Sequence, residues 1–210
     1  FQKPSGDTVN PEFLAMEVVG QLWGEFLVAQ AAKEFFIIDQ HGAAERVRFE
    51  KLRKGYRSGS VPSQYLLIPE RIETAPDEKA AVEGAMAELE RLGFEVAPFG
   101  SSTSKGGGTF IIKAAPEMLG GREAGRLVTD LAEELSTLGG SANVERKLDE
   151  VFIRVACHSV VRGRRPLTGE EAAALLRDLS EVDFSGHCPH GRPVVKKVTR
   201  EEVERMFKRG

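Results

Sequence analysis

Cysteine is scarce: only Cys157 and Cys188 occur in 210 residues. That is too few for a secreted fold stapled by disulfides, and a reducing, cytoplasmic setting is expected. No apolar run approaches the ~20 residues of a transmembrane helix, so no membrane partner is expected. Positive charge is not in excess either. There are 29 Lys and Arg against 32 Asp and Glu, giving a net charge of −3. A domain that gripped nucleic acid by charge alone would be basic. Basic residues do cluster locally, in KLRKGYR (Lys51 to Arg57), RGRR (Arg162 to Arg165) and KKVTR (Lys196 to Arg200). A solvated face is the ordinary reading of such a patch. No internal repeat is present, and SSTSKGGG reads as a turn without a phosphate-loop pattern.

Hydrophobic residues at 41% and charged residues at 29% are ordinary for a globular chain with a real core. No signal peptide is visible. The opening QKPSGDTVNP has the proline, glycine and polar content of a linker, and with Phe1 as first residue a longer parent protein is expected. Two β runs, up to EFLVAQ and then FFIID, suggest a hairpin. Gln40-His41-Gly42 reads as a turn, and Ala43 to Lys54 as a helix with Ala44, Val47 and Leu52 inward. Downstream, Gln64 to Ile72 reads as a strand and Asp77 to Leu92 as a helix ended by Gly93. Phe94 to Phe99 and Thr109 to Lys113 read as strands. Gly121 to Leu138 and Glu145 to Arg162 read as helices. Thr168 opens a capping box before a helix near Glu170. The loop HCPHGRP, the strand VVKKV and a final helix capped by Thr199 close the chain. The fold class is α+β.

Chemistry concentrates in two places. Asp39 ends a strand, His41 follows, and Glu45 lies four residues on, one helical turn along the same face. Taken alone, these three also fit an Asp capping a helix and a His filling a turn. The second place is Cys188-Pro189-His190. The thiol and imidazole are two residues apart, Pro189 fixes the backbone, and Gly191 permits a sharp turn. A Cys-x-His pair can form half of a zinc site, and Cys157 can add a ligand. Carboxylates also suit Mn²⁺ or Mg²⁺. Mixed O, N and S donors can hold more than one metal, the usual apparatus of in-line phosphodiester cleavage. A thiol nucleophile lacks an obvious third partner. A zinc peptidase lacks the His-Glu-x-x-His helix.

These residues carry a family resemblance. DQHGAAERVRFE resembles the DQHA-x2-E-x4-E motif of endonuclease-type DNA mismatch repair MutL proteins, matching at Asp39, Gln40, His41, Glu45 and Glu50, with Gly42 in place of Ala. ACHSVVRG resembles the family's A-C-R segment at Ala156 and Cys157, with His158 where Arg or Lys is commoner. CPHGRP, Cys188 to Pro193, matches its motif without change. Gly20-Gln21 and Phe207-Lys208-Arg209 match the early Gly-Gln and the terminal F-x-R. The motifs stand in order from about Pro11 to Arg209.

The resemblance implies the C-terminal domain of such proteins, which homodimerises and nicks duplex DNA. It implies metal residues Asp39, His41, Glu45, Cys157, Cys188 and His190, with Asp39, His41 and Glu45 catalytic. Zn²⁺ would have a structural or regulatory role and Mn²⁺ or Mg²⁺ a catalytic one. It implies two lobes: a dimerisation lobe from residues 11–57 and 166–210, and an inserted regulatory lobe, 58–165, after a linker remnant, 1–10. Gln64-Tyr65-Leu66-Leu67-Ile68-Pro69 resembles the segment by which the family docks on the replication sliding clamp, through Gln64, Leu67, Ile68 and Pro69. An extended peptide of this kind suits a hydrophobic groove. The mismatch-recognition protein MutS and an N-terminal ATPase half are further implied partners. Arg162, Arg164, Arg165 and Lys196 are candidate phosphate contacts. The alternative is a non-catalytic, zinc-ordered module for dimerisation and partner docking.

Overall fold

The computed structural model describes residues 10–32, 34–59, 61–100, 106–120, 124–136, 144–160, 165–184 and 186–208. The elements run α1 (Pro11–Leu14), β1 (Glu17–Leu22), β2 (Phe26–Ala31), β3 (Glu34–Asp39), α2 (Gln40–Ser58), β4 (Ser63–Thr74), α3 (Pro76–Arg91), β5 (Glu95–Pro98), β6 (Gly108–Pro116), α4 (Gly125–Ser136), α5 (Val144–Ser159), α6 (Gly169–Ser180), β7 (Val195–Thr199) and α7 (Arg200–Met206). Helices and antiparallel sheets make this an α+β chain. It divides into two compact units, Phe1–Glu50 with Val160–Gly210, and Lys51–Ser159, with the division inside α2. Among the described residues no helix is long and apolar enough to cross a membrane.

In the first unit an antiparallel sheet has the order β1-β2-β3-β7. Alternation along β2 and β3 sends Leu27, Ala29, Phe36 and Ile38 to one face, where all are buried. They join Phe13, Ala43, Val47, Ala172, Leu176 and Leu179 in one core. Each large side chain buried there contributes about 1.5–3 kcal/mol. The opposite face carries Phe26, Val28, Phe35 and Ile37, which remain partly exposed.

The β1–β2 connection is tight. Glu25 N–H donates to the Leu22 carbonyl at 3.0 Å, and Trp23 and Gly24 take φ of 53° and 66°, the pattern of a type I′ hairpin turn. Helix α1 is a single short turn of four residues. Pro11 suits a first helical turn, and Phe13 turns into the core, 5.3 Å edge-on from Phe184. Thr168 caps α6 and Thr199 caps α7 through capping boxes with Glu171 and Glu202, in line with the sequence reading.

In the second unit β4, β6 and β5 form an antiparallel sheet in that order. Phe110, Ile112 and Ala114 of β6 are buried. Helix α3 contributes Val82, Ala85 and Leu89 to the apolar interior, and α4 contributes Leu127, Val128, Leu131, Ala132 and Leu135. Tyr56 packs edge-on against Phe152 at 5.2 Å and under the Arg91 guanidinium at 4.2 Å, and its hydroxyl donates to Glu88. Burial, and then the Glu88 carboxylate, push the Tyr56 phenol up to about 12.

Candidate metal centre

The centre is built at the end of β3. The sequence reads Gln40 to Gly42 as a turn, but α2 already begins at Gln40. The reason is Asp39. Its Oδ1 accepts from the N–H groups of His41 at 3.0 Å and Gly42 at 3.1 Å. These N–H groups have no partner within the helix, so an acidic residue ending the strand also starts the helix. His41 and Glu45 then share a helix face, and His41 Nε2 lies 3.2 Å from Glu45 Oε1.

The second half arrives through sheet pairing. β7 runs antiparallel beside β3, with Ile38 opposite Val195. The Asp39 N–H extends this pairing by donating to the Val194 carbonyl at 2.8 Å. The HCPHGRP loop immediately before Val194 is thereby carried to the end of β3. Within it Gly191 N–H donates to the Cys188 carbonyl at 2.9 Å, and Cys188 N–H donates to the Arg192 carbonyl at 2.8 Å. Gly191 has a φ of +81°, a conformation that costs a side-chain-bearing residue about 1–2 kcal/mol. The Arg46 guanidinium, one turn along α2, donates to the Asp183 carbonyl at 3.0 Å and pairs with Glu50 at 2.9 Å. The second glutamate of the DQH motif therefore helps to hold the arginine that fastens the approach to this loop.

The result is a convergence of Glu45, Cys188 and His190, whose donor atoms all lie within 4.8 Å of one another. Glu45 and Cys188 are buried, and His190 is on the surface. His190 Nδ1 is 3.5 Å from Glu45 Oε2, so the glutamate has one imidazole at each oxygen. A carboxylate is costly to bury without compensation. Here two imidazoles and a thiol surround it. One oxygen, one sulfur and one nitrogen donor are a fitting set for a zinc-like cation, whose ligand atoms stand roughly 3–4 Å apart when each is at its normal bond length.

His41 borders this trio through Glu45, and Asp39 caps the start of the helix that carries both. Cys157 belongs to the second unit, half-buried in the last turn of α5. Arg165 is exposed and paired with Glu171 at 2.6 Å, which holds its guanidinium above the ordinary range. Lys196 is exposed on β7. Arg162 and Arg164 lie outside the described residues.

Two glutamines that the sequence reading treats only as motif letters have structural work. Gln40 N–H donates to the Glu25 carbonyl at 3.0 Å, and its Nε2 donates to the carbonyls of Gly24 and Arg165. Gln21 grips Leu167 in both directions, Nε2 to its carbonyl at 2.6 Å and Oε1 from its N–H at 2.8 Å. Together they fasten the hairpin tip and the residues entering α6. Only the position of Gln40 between Asp39 and His41 hinted at this.

Gln64 to Pro69 lies on β4, the edge of the second sheet. Tyr65 pairs with Ala114 and Glu70 with Ile112. Four residues of β4, Leu66 to Pro69, thus stand opposite the single Lys113 of β6, and they bulge from the ladder. Leu67 is 99% exposed and Ile68 80%.

Residues 19–167 match the family described as "MutL C terminal dimerisation domain". Among similar proteins are DNA mismatch repair protein MutL of Geotalea uraniireducens and of Geobacter sulfurreducens, each 44% identical over 197 residues. That of Trichlorobacter lovleyi is 42% identical over 197 residues. In each case the alignment covers 94% of this chain and 32% of the relative, so the chain corresponds to a minor part of those proteins. The family match spans more than two-thirds of the sequence and includes the β3–α2 corner described above: the chain belongs to the MutL C-terminal dimerisation domain family.

Proposed function

We propose that this chain is the metal-dependent endonuclease part of a homodimeric MutL-type mismatch repair protein, nicking duplex DNA by phosphodiester hydrolysis. The observation that carries this reading is the convergence of Glu45, Cys188 and His190 at a strand end that also presents Asp39 and His41. Glu45, Cys188 and His190 would hold a zinc ion. Asp39 and His41, with Glu45, would hold Mn²⁺ or Mg²⁺ on the substrate side. Such an ion, when bound, activates water and neutralises charge on the scissile phosphate. The chain's own residues orient the site. Glu45 aligns both imidazoles, with His41 Nε2 at 3.2 Å from one of its oxygens and His190 Nδ1 at 3.5 Å from the other. Asp39 uses Oδ1 for the helix cap, and its Oδ2 takes no part in that cap.

The partners proposed are duplex DNA, a second copy of the chain, the sliding clamp, MutS and an N-terminal ATPase half. Phe26, Val28, Phe35 and Ile37 form the sheet face proposed to meet the second copy. The exposed Leu67 and Ile68 support clamp docking, because exposing two large apolar side chains on a bulge is unfavourable without a partner. Arg165 and Lys196 would make weak phosphate contacts. DNA affinity would then rest on avidity from the dimer and the clamp.

One observation favours a second reading, a zinc-ordered module that dimerises and docks partners without hydrolysis: Asp39 already has a structural job as a cap. Asp39→Asn in the full-length protein separates the two. Asparagine caps as well as aspartate, so fold and dimer should persist. Manganese-dependent nicking of supercoiled DNA should fall at least about a hundredfold, as for loss of a group that positions charge in a transition state. Nicking at the wild-type rate would leave the docking module as the better account.

A further inference from the structure

Glu70 follows the exposed Leu66–Pro69 bulge directly. Its carboxylate accepts from the Ala124 N–H at 2.7 Å and the Gly125 N–H at 2.9 Å. These are N–H groups at the start of the twelve-residue α4, where a negative charge is favoured. The fit is close enough to dictate the residue facing it. A Cβ on Gly125 would stand 2.4 Å from Glu70 Oε1 and 2.6 Å from Ile72 Cγ2. Upstream of the bulge, Ser63 Oγ donates to the Gly93 carbonyl at 2.7 Å, and Tyr65 is in register with Ala114. Both ends of the excursion are therefore pinned, while its two middle side chains point to solvent.

We propose that Glu70 is a positioning residue for partner docking: by anchoring to the start of α4 it fixes the Leu66–Pro69 bulge in the shape its partner receives. This rests on the reading of that segment as the clamp-docking site and adds how the segment is presented. A free peptide of this sequence must lose backbone freedom at four residues when it binds. The bulge has lost that freedom already, on folding. Register shows why an anchor is required. Three ladder pairs, from Ser63 to Tyr65, precede the bulge and five, from Glu70 to Thr74, follow it. Glu70 opens the second set, and a slip of one residue there would turn every side chain of that set to the other face.

The test compares affinities for a sliding clamp ring immobilised on a sensor surface. The samples are the whole chain, its Leu67→Ala and Glu70→Gln variants, and a synthetic peptide of residues 64–71. The whole chain should bind about tenfold or more tighter than the peptide, the scale of gain expected from pre-organisation. Glu70→Gln should fall to near the peptide's affinity while circular dichroism shows the fold intact, and Leu67→Ala should abolish binding. A Glu70→Gln chain that binds like wild type while Leu67→Ala does not would overturn the positioning role and leave the docking reading standing. Leu67→Ala binding at wild-type strength would overturn the docking reading and this inference with it. Should Glu70→Gln fail to fold, Glu70→Asp keeps the carboxylate one methylene shorter and carries the same comparison. A folded Glu70→Asp that binds no more weakly than wild type would count against the proposal.

Discussion

At the scale of single residues, side chains here repeatedly do two jobs. Asp39 begins a helix at the edge of the candidate metal centre. Glu45 carries one imidazole on each carboxylate oxygen. Glu70 closes a bulge and caps a helix. Tyr56 shows the same economy in the second unit and yields a pH prediction. Its neutral phenol is buried and donates to Glu88, so the folded pKa is raised from 10.0 to about 12. The unfolded chain then releases this proton more readily than the folded one. The stability contributed by Tyr56 is complete below pH 10 and is lost as pH rises through 10 to about 12. Chemical denaturation followed across that window should show falling stability in the wild type. Tyr56→Phe should show a shallower fall from a lower starting point, since it loses the hydrogen bond but has no phenol to ionise.

At the scale of elements, alternation and capping were legible. EFLVAQ and FFIID announce their strands because the period of two matches a sheet with one buried face. Thr168 and Thr199 announce their helices because capping is local chemistry. Helix α1 was not legible, since four residues are too few to show a period. The start of α2 was misread for a related reason: Gln40-His41-Gly42 looks like a turn until Asp39 is seen to accept its N–H groups. The β1–β2 turn offers a test at this scale. Trp23 sits at a positive φ of 53°, which costs a residue of this kind about 1–2 kcal/mol. Its edge-on contact with Phe26 at 6.2 Å returns only about 0.5–1.5 kcal/mol. Trp23→Asn, which suits the left-handed region, should therefore raise unfolding stability by up to about 1 kcal/mol, measured by urea titration. A loss greater than the ring contact can supply would show that Trp23 has packing beyond this hairpin.

At the scale of the whole molecule, the first unit draws on both ends of the sequence, and the candidate metal centre depends on that arrangement. Glu45 and Cys188 are far apart in the chain, and they meet because β7 pairs with β3. The other face of the same sheet is proposed to join two copies. Phe35→Glu places a charge at the middle of that face, opposite Val198, and leaves the buried Phe36 face untouched. Sedimentation equilibrium should show a shift to monomer, with the dissociation constant weakened at least about tenfold for a charge set against an apolar partner surface. An unchanged dimer would place the interface elsewhere.

The sequence by itself determined the strand alternation, the helix caps, the α+β class and the inventory of donors, because these depend on residue type and short spacing. It also carried the family, through motifs in a fixed order. Tertiary structure decided which donors converge, since cysteine and glutamate positions distant along the chain acquire a mutual distance only when β7 docks on β3. It decided that Leu66 to Pro69 of QYLLIP form a bulge with Leu67 and Ile68 in solvent. The same letters read equally well as a buried strand, and only the register against β6, pinned by Glu70 at the start of α4, excludes that.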